Sequence, residues 1–299
     1  MLKKPLPDLK SWVDHFSRLE IPVLQHTLDE IRLMRDRFDD IGIRDITRLV
    51  KHDPLLSMRL IRYLEARRHS AQVTDVTTLD RILLMIGMSG FFRAFGSSPV
   101  LEQVLDYCPT ASRRCRRACA RAYLAAQLAE TIANRHYDIT PDEVVGAALM
   151  HDCAEILLWV AAPELADEVL KLLRANPGMR SKVAQRAVLG ITLHDLQLEL
   201  VKAWHLPKLM QQLLDESLIE DPRVRIVQVA TSLARHLDNG WRDAGLPDDY
   251  QDMADLTGLT PENAAQLVRV IALKVAREWS WFDTTPVAAR LVEVDPAGC

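Results

Sequence analysis

His151 and Asp152 stand side by side in the least polar stretch of the chain, TPDEVVGAALMHDCAEILLWV over residues 140–160. An imidazole beside a carboxylate can ligate a hard divalent cation, relay a proton, or serve as a hydrogen-bonded core pair. Adjacent helical side chains diverge by about 100°, yet both can reach one ion from the same turn. Val144, Val145, Ala147, Ala148, Leu149 and Met150 precede the pair, and Ile156, Leu157, Leu158 and Trp159 follow it. A helix that is apolar all round is normally buried, and burying polar groups without partners is costly. The pair must therefore be satisfied, either by an ion or by neighbouring helices.

A second group with chemical potential is basic. Arg113, Arg114, Arg116, Arg117 and Arg121 fall within nine residues. Guanidiniums at that density suit phosphate, or else make a solvated or domain-bridging face. The aromatic interleaving that accompanies nucleic-acid binding is absent, so no nucleic-acid partner is expected. The five cysteines, Cys108, Cys115, Cys119, Cys153 and Cys299, show neither a CxxC pair nor finger spacing. Cys115 and Cys119 lie one helical turn apart and read as core residues.

The elements that must position these groups are helical. Glycine is scarce, at 11 of 299 residues, and apolar spacings of three and four recur from end to end. The chain reads as all-α. Thr140, Pro141 and Glu143 make a helix start with a capping box for the His151–Asp152 stretch. Upstream, helices are expected over about 22–37 and 41–51, from Asp53-Pro54 onward, and from Thr78 to Ile86 with Gly87 closing. Residues 1 to about 20 read as a polar lead with an amphipathic turn around Trp12 and Phe16. Cys108-Pro109-Thr110 breaks the pattern, and Ser112 then caps a long helix to about Asn134.

Downstream, helices are expected over about 163–174, 179–189 (ended by Gly190), 192–204, 207–217, 223–239 and 261–282. Between the last two the chain reads as a loop with Gly240, Gly245 and Pro247. The break at Cys108 divides the fold into two lobes, a helical bundle over 1–107 and a second over 108–284, with a tail at 285–299.

Composition bounds the function. An apolar fraction of 48% and a charged fraction of 26% suit a sizeable core, and the net charge of −4 gives no bias toward nucleic acid or anionic membrane. The N-terminus, MLKKPLPDLK, lacks a signal-peptide core, and no apolar run is judged long enough to span a bilayer. A cytoplasmic protein with reduced thiols and no membrane contact is expected.

Four stretches together resemble one family. GAALMHDCAEILL is similar to the central helix of the HD superfamily of metal-dependent phosphohydrolases, and more particularly of the HDOD domain, its non-catalytic relative in bacterial signalling proteins. IPVLQHTLDEI over 21–31 resembles that family's opening helix, and LVKHDPLLSMRLIRYL over 49–64 its "DP" helix. VLGITLHDLQLELVKAWHLP over 188–207 resembles its Leu-Gly and Trp-x-Leu-Pro segment. The resemblance spans about 19–217 and implies an HD-like helical second lobe.

For the catalytic relatives, the resemblance implies an upstream His, the His-Asp pair and a later Asp as metal ligands. Here only His151 and Asp152 match. Aligning the alanines of the Ser112 helix places Arg117 near the upstream His, where a guanidinium would pair with Asp152 rather than bind metal. Glu155 stands where the catalytic relatives carry Lys. Leu193 replaces an accessory His, with His194 one place off, and Ser217-Leu218 replace a later His-His. Glu65-Ala66 and Arg67-Arg68-His69 stand near the family's Asn-Ser pair.

The pair therefore reads as the remnant of a metal site, with no metal and no cofactor expected. The resemblance implies a regulatory or scaffolding module without catalysis, whose partners are signalling proteins such as histidine kinases, response regulators or cyclic-dinucleotide enzymes. Two alternatives stand beside it. One is a phosphohydrolase using His151, Asp152 and unconventional ligands such as Glu155 or His194. The other is a non-hydrolysing nucleotide binder using Arg113, Arg114, Arg116 and Arg121.

Overall fold

The computed structural model describes residues 2–66 and 78–289. Arg67-Arg68-His69 and the end of the tail, Cys299 included, lie outside the described residues. The described chain is all-α, and its one strand-like feature is a single parallel bridge between Val23 and Val100.

The first half holds α1 (Leu9–Arg18), α2 (Gln25–Asp36), α3 (Ile43–His52), α4 (Pro54–Glu65), α5 (Leu79–Phe95) and α6 (Leu101–Val104). The second opens with α7 (Pro109–Ala133), α8 (Pro141–Met150), α9 (Cys153–Ala161) and α10 (Pro163–Ala175). It continues through α11 (Ser181–Leu189), α12 (Leu193–Ala203), α13 (Lys208–Leu213), α14 (Pro222–Asn239), α15 (Leu246–Thr257), α16 (Pro261–Ala276) and α17 (Trp279–Phe282).

α7 is the axis. Its alanines, among them Ala118, Ala122, Ala125, Ala126 and Ala129, are buried, and α8, α9, α14 and α16 pack around it. Small side chains let these helices approach closely. Pro109 sits at the first helical position, so the helix begins three residues before the expected cap Ser112.

Several expectations are corrected. The residues around Trp12 and Phe16 form the full helix α1, with both rings completely buried, because α1 packs across the fold against α12. Trp12 Nε1 donates to the Leu189 carbonyl at 3.3 Å, and Leu2 N–H donates to Ala161 at 3.0 Å. The break at Cys108 is thus bridged by the N-terminal helix. The stop expected at Gly87 is present: at φ +70° and ψ 162° this residue breaks the helical path within α5, and a second helical stretch runs on to Phe95. The expected loop over 240–260 contains α15, whose Leu246, Met253 and Ala254 are buried. The 140–160 stretch is two helices, and Thr140 makes no side-chain cap.

The same stretch also corrects the reading that no apolar run is long enough to span a membrane. Pro141–Ala161 has that length and composition, but 89% of its most apolar window is buried inside the fold. Here a long apolar run is the middle of a helical core.

Asp53 explains the "DP" stretch physically. Its Oδ1 accepts from Leu55 N–H at 2.8 Å, capping α4, while Oδ2 accepts from Leu24 N–H at 3.0 Å, at the start of α2. One buried carboxylate therefore ties two helix N-termini together. Burial pushes its carboxyl up to about 6 despite these donors.

Candidate functional site

The site forms where α8 ends and α9 begins. His151 and Asp152 occupy the joint, and Asp152 holds φ −101°, ψ 21° at the start of α9. Its carboxylate makes no cap to α9 because both oxygens turn toward guanidiniums. Asp152 Oδ2 accepts from Arg121 Nε at 2.9 Å and from Arg121 Nη2 at 2.7 Å. Asp152 Oδ1 accepts from Arg235 Nη2 at 3.2 Å and from His151 Nδ1 at 3.1 Å. Donation to a carboxylate puts the imidazole proton on Nδ1.

Arg121 is the centre of this arrangement. Its side chain comes off the middle of α7 and is 10% exposed. Nη2 also donates to Glu155 Oε2 at 2.7 Å, and Nη1 lies 3.8 Å from Asp238 Oδ2. Burial disfavours the charged guanidinium, but Glu155, Asp152 and Asp238 outweigh it and hold the proton firmly. Burial likewise raises the Asp152 carboxyl, and Arg121, Arg235 and His151 together bring it well below the usual carboxylate range. Three carboxylates thus surround one buried cation.

Arg117 does not pair with Asp152 as the alanine alignment placed it. It reaches Asp238, with Nε at 3.0 and 2.9 Å from the two carboxylate oxygens and Nη2 donating to the Asp238 carbonyl at 2.6 Å. Arg121, four residues further along, takes the expected role. Residues four apart share a helix face, so the correction is one turn along α7. The arginine group is largely spent on intramolecular carboxylates: Arg116 pairs with Asp283, and Arg121 lies inside. Arg113 is exposed and Arg114 partly buried.

His151 Nε2 lies 3.8 Å from Glu216 Oε1, which is 3.9 Å from His194 Nδ1, while Lys182 approaches the other Glu216 oxygen at 3.9 Å. Among the described residues, His194 therefore meets the site through Glu216. Ser217 donates its N–H and hydroxyl to Asp215, and Leu218 is exposed. Cys153, next to Asp152, is buried, and burial pushes its thiol up to about 12, which leaves it unreactive.

The metal implied by the resemblance does not fit these residues. The Arg121 guanidinium fills the space among Asp152, Glu155 and Asp238, donates to two of them, and offers no lone pair. Among the described residues, no group of three or more His, Cys, Asp or Glu side chains could hold a metal ion.

Asp238 and Glu216 were missed in the sequence. Asp238 carried a signal: it follows Val227, Thr231 and Ala234 at helical spacing, on the buried face of α14. Glu216 carried none, since it stands in a short turn after α13.

The HDOD domain model matches residues 21–219. The chain belongs to the HDOD domain family. Among solved structures, it is similar to the MmoQ response regulator from Methylococcus capsulatus str. Bath at 19% identity and a TM-score of 0.60, covering 84% of this chain and 99% of that one. It is also similar to a virulence factor from Campylobacter jejuni subsp. jejuni at 13% identity and a TM-score of 0.63, covering 90% of this chain and 100% of that one. At these identities the likeness concerns the fold. A comparison with curated proteins finds no significant match. The matched span holds Arg121, His151, Asp152 and Glu155, while Arg235 and Asp238, which complete their ion-pair network, lie beyond its end.

Proposed function

We propose that this HDOD protein is a non-catalytic signalling module that acts in the cytoplasm by binding partner proteins. The observation that carries the reading is the buried Arg121 guanidinium among Asp152, Glu155 and Asp238. Hydrolysis in the related enzymes needs a metal with an open position for water. Here a fixed cation of the same sign fills that space and donates hydrogen bonds instead of accepting ligands. The signalling context is supported by the family match and by the fold shared with a response regulator. Histidine kinases, response regulators and cyclic-dinucleotide enzymes are the partner classes the family resemblance implies.

The test has two arms. Purified full-length protein is assayed against bis-p-nitrophenyl phosphate with added Mg²⁺, Mn²⁺ or Fe²⁺, beside His151→Ala. No turnover above blank is expected from either, and wild-type turnover abolished by His151→Ala would overturn the reading. Crosslinking in the native cell with intact protein should then recover a signalling protein reproducibly. Recovery of no such partner, with the protein expressed and folded, would count against partner binding.

A further inference from the structure

A cleft of 480 Å³ opens between α3 on one side and α7 and α16 on the other, away from the His151 joint. That volume lies within the range of small-molecule sites. Its two walls carry opposite charge.

On α3, Arg44 and Arg48 stand four residues apart and share the face toward the cleft. Both are exposed, and among the described residues neither side chain has a carboxylate partner. Lys51 continues the row but is already held by Asp142 at 2.6 Å and Asp80 at 3.4 Å. Two adjacent guanidinium forks match the oxygens of a phosphate, each able to donate a pair of N–H bonds.

The facing wall accepts hydrogen bonds. Glu130 on α7 has no cationic partner among the described residues, and Glu278 approaches only His52, at 3.9 Å. Lys274 is turned to Gln127 Oε1 at 3.2 Å. Two carboxylates with spare lone pairs suit the hydroxyl or amino groups of a ligand.

The floor is neutral. His52 Nδ1 donates to the Arg48 carbonyl at 2.8 Å, which leaves Nε2 to accept the Tyr123 hydroxyl at 2.9 Å. The two rings stack with centroids 4.6 Å apart. Burial pushes the tyrosine hydroxyl up and the imidazole down, so neither carries charge near neutrality. The polarity of the cleft is therefore set by its walls.

We propose that this cleft binds a phosphate monoester with a hydroxyl- or amino-bearing body, the phosphate on Arg44 and Arg48 and the body against Glu130 and Glu278. Nucleotides and sugar phosphates share this chemistry. The site is independent of the signalling role and would add a small-molecule input to it, because a ligand there touches both halves of the fold.

Isothermal titration calorimetry on the full chain tests the proposal with adenosine 5′-monophosphate, guanosine 5′-monophosphate, glucose 6-phosphate, inorganic phosphate and adenosine. Saturable binding of at least one ester is expected, and which ester binds separates nucleotide from sugar phosphate. Arg44→Ala with Arg48→Ala, both on exposed side chains, should weaken it by at least roughly tenfold. Glu130→Gln should weaken the ester more than inorganic phosphate. Unchanged melting temperatures would show that these variants fold. No saturable heat from any ester up to about 10 mM, equal binding by the double arginine variant, or adenosine binding as tightly as its phosphate would overturn the proposal. Inorganic phosphate binding as tightly as every ester would remove the role of the carboxylate wall and overturn it equally.

Discussion

Asp53 shows how one side chain can set both geometry and pH response. Both its oxygens accept backbone N–H groups, yet burial pushes its carboxyl up to about 6. The folded value lies above the unfolded one near 3.8, so the contribution is full below about pH 4 and is lost as pH rises through 6. Relative to Asp53→Asn, wild type should lose up to about 3 kcal/mol of stability between pH 4 and 7. Urea unfolding at several pH values checks this, and parallel pH profiles for the two proteins would refute it. Asp152 has the opposite sign. Its folded carboxyl lies well below 3.8, so its contribution is full above that value and fails only in stronger acid. The sequence showed at this scale that His151 and Asp152 would be buried and paired. It could not show the pairing itself, because Asp238 and Glu216 reach the site from 121 residues beyond Arg117 and from a turn without periodicity.

At the scale of elements, helix ends were the least legible part. The helix expected over about 192–204 ends at the Trp-x-Leu-Pro segment, where Trp204 is 6% exposed. The stop is a Schellman motif: Leu206 N–H donates to Val201 at 3.0 Å and His205 N–H to Lys202 at 2.9 Å. His205 holds φ +52° at the position where glycine is usual. His205→Gly should therefore raise stability by up to about 1 kcal/mol, read as a higher urea midpoint with unchanged slope. A lower midpoint would mean that the imidazole contributes more than the strain costs.

Trp204 itself is packed under Arg62, whose guanidinium carbon lies 5.3 Å from the ring centroid, and among the described residues its indole N–H has no hydrogen-bond partner. Trp204→Ala should cost about 3–5 kcal/mol. Trp204→Phe should cost much less, because it also removes a buried unpaired donor. Equal melting losses for the two would contradict that. The apolar run over 140–160 read as one helix because periodicity continues through His151 and Asp152. The pull of Arg121 and Arg235 on the Asp152 carboxylate accompanies a break that no periodicity records.

For the whole molecule, the all-α class was legible, and α7 does begin at Pro109, just after Cys108. The bridging across Cys108 was not legible, since α1 looks like a polar lead until its two buried rings are seen against α12. α4 also packs against α7 and α8, and Lys51 on α3 reaches Asp142 on α8. The two halves should therefore unfold together, with calorimetric and van't Hoff enthalpies agreeing. Two resolved thermal transitions would show that the contacts across Cys108 are too weak to couple them.

We propose that Arg121 is the permanent cation at the His151–Asp152 joint, and a double-mutant cycle tests this most directly. Arg121→Met, Asp152→Asn and the double variant are compared with wild type by urea unfolding in the presence of a chelator. Each single change takes one member out of a buried charge network and should cost up to about 3–5 kcal/mol. The double variant should cost less than their sum by more than about 1 kcal/mol, because the two side chains act as one unit. Additive losses, together with a stoichiometric metal retained by wild type and lost from Asp152→Asn, would contradict the account.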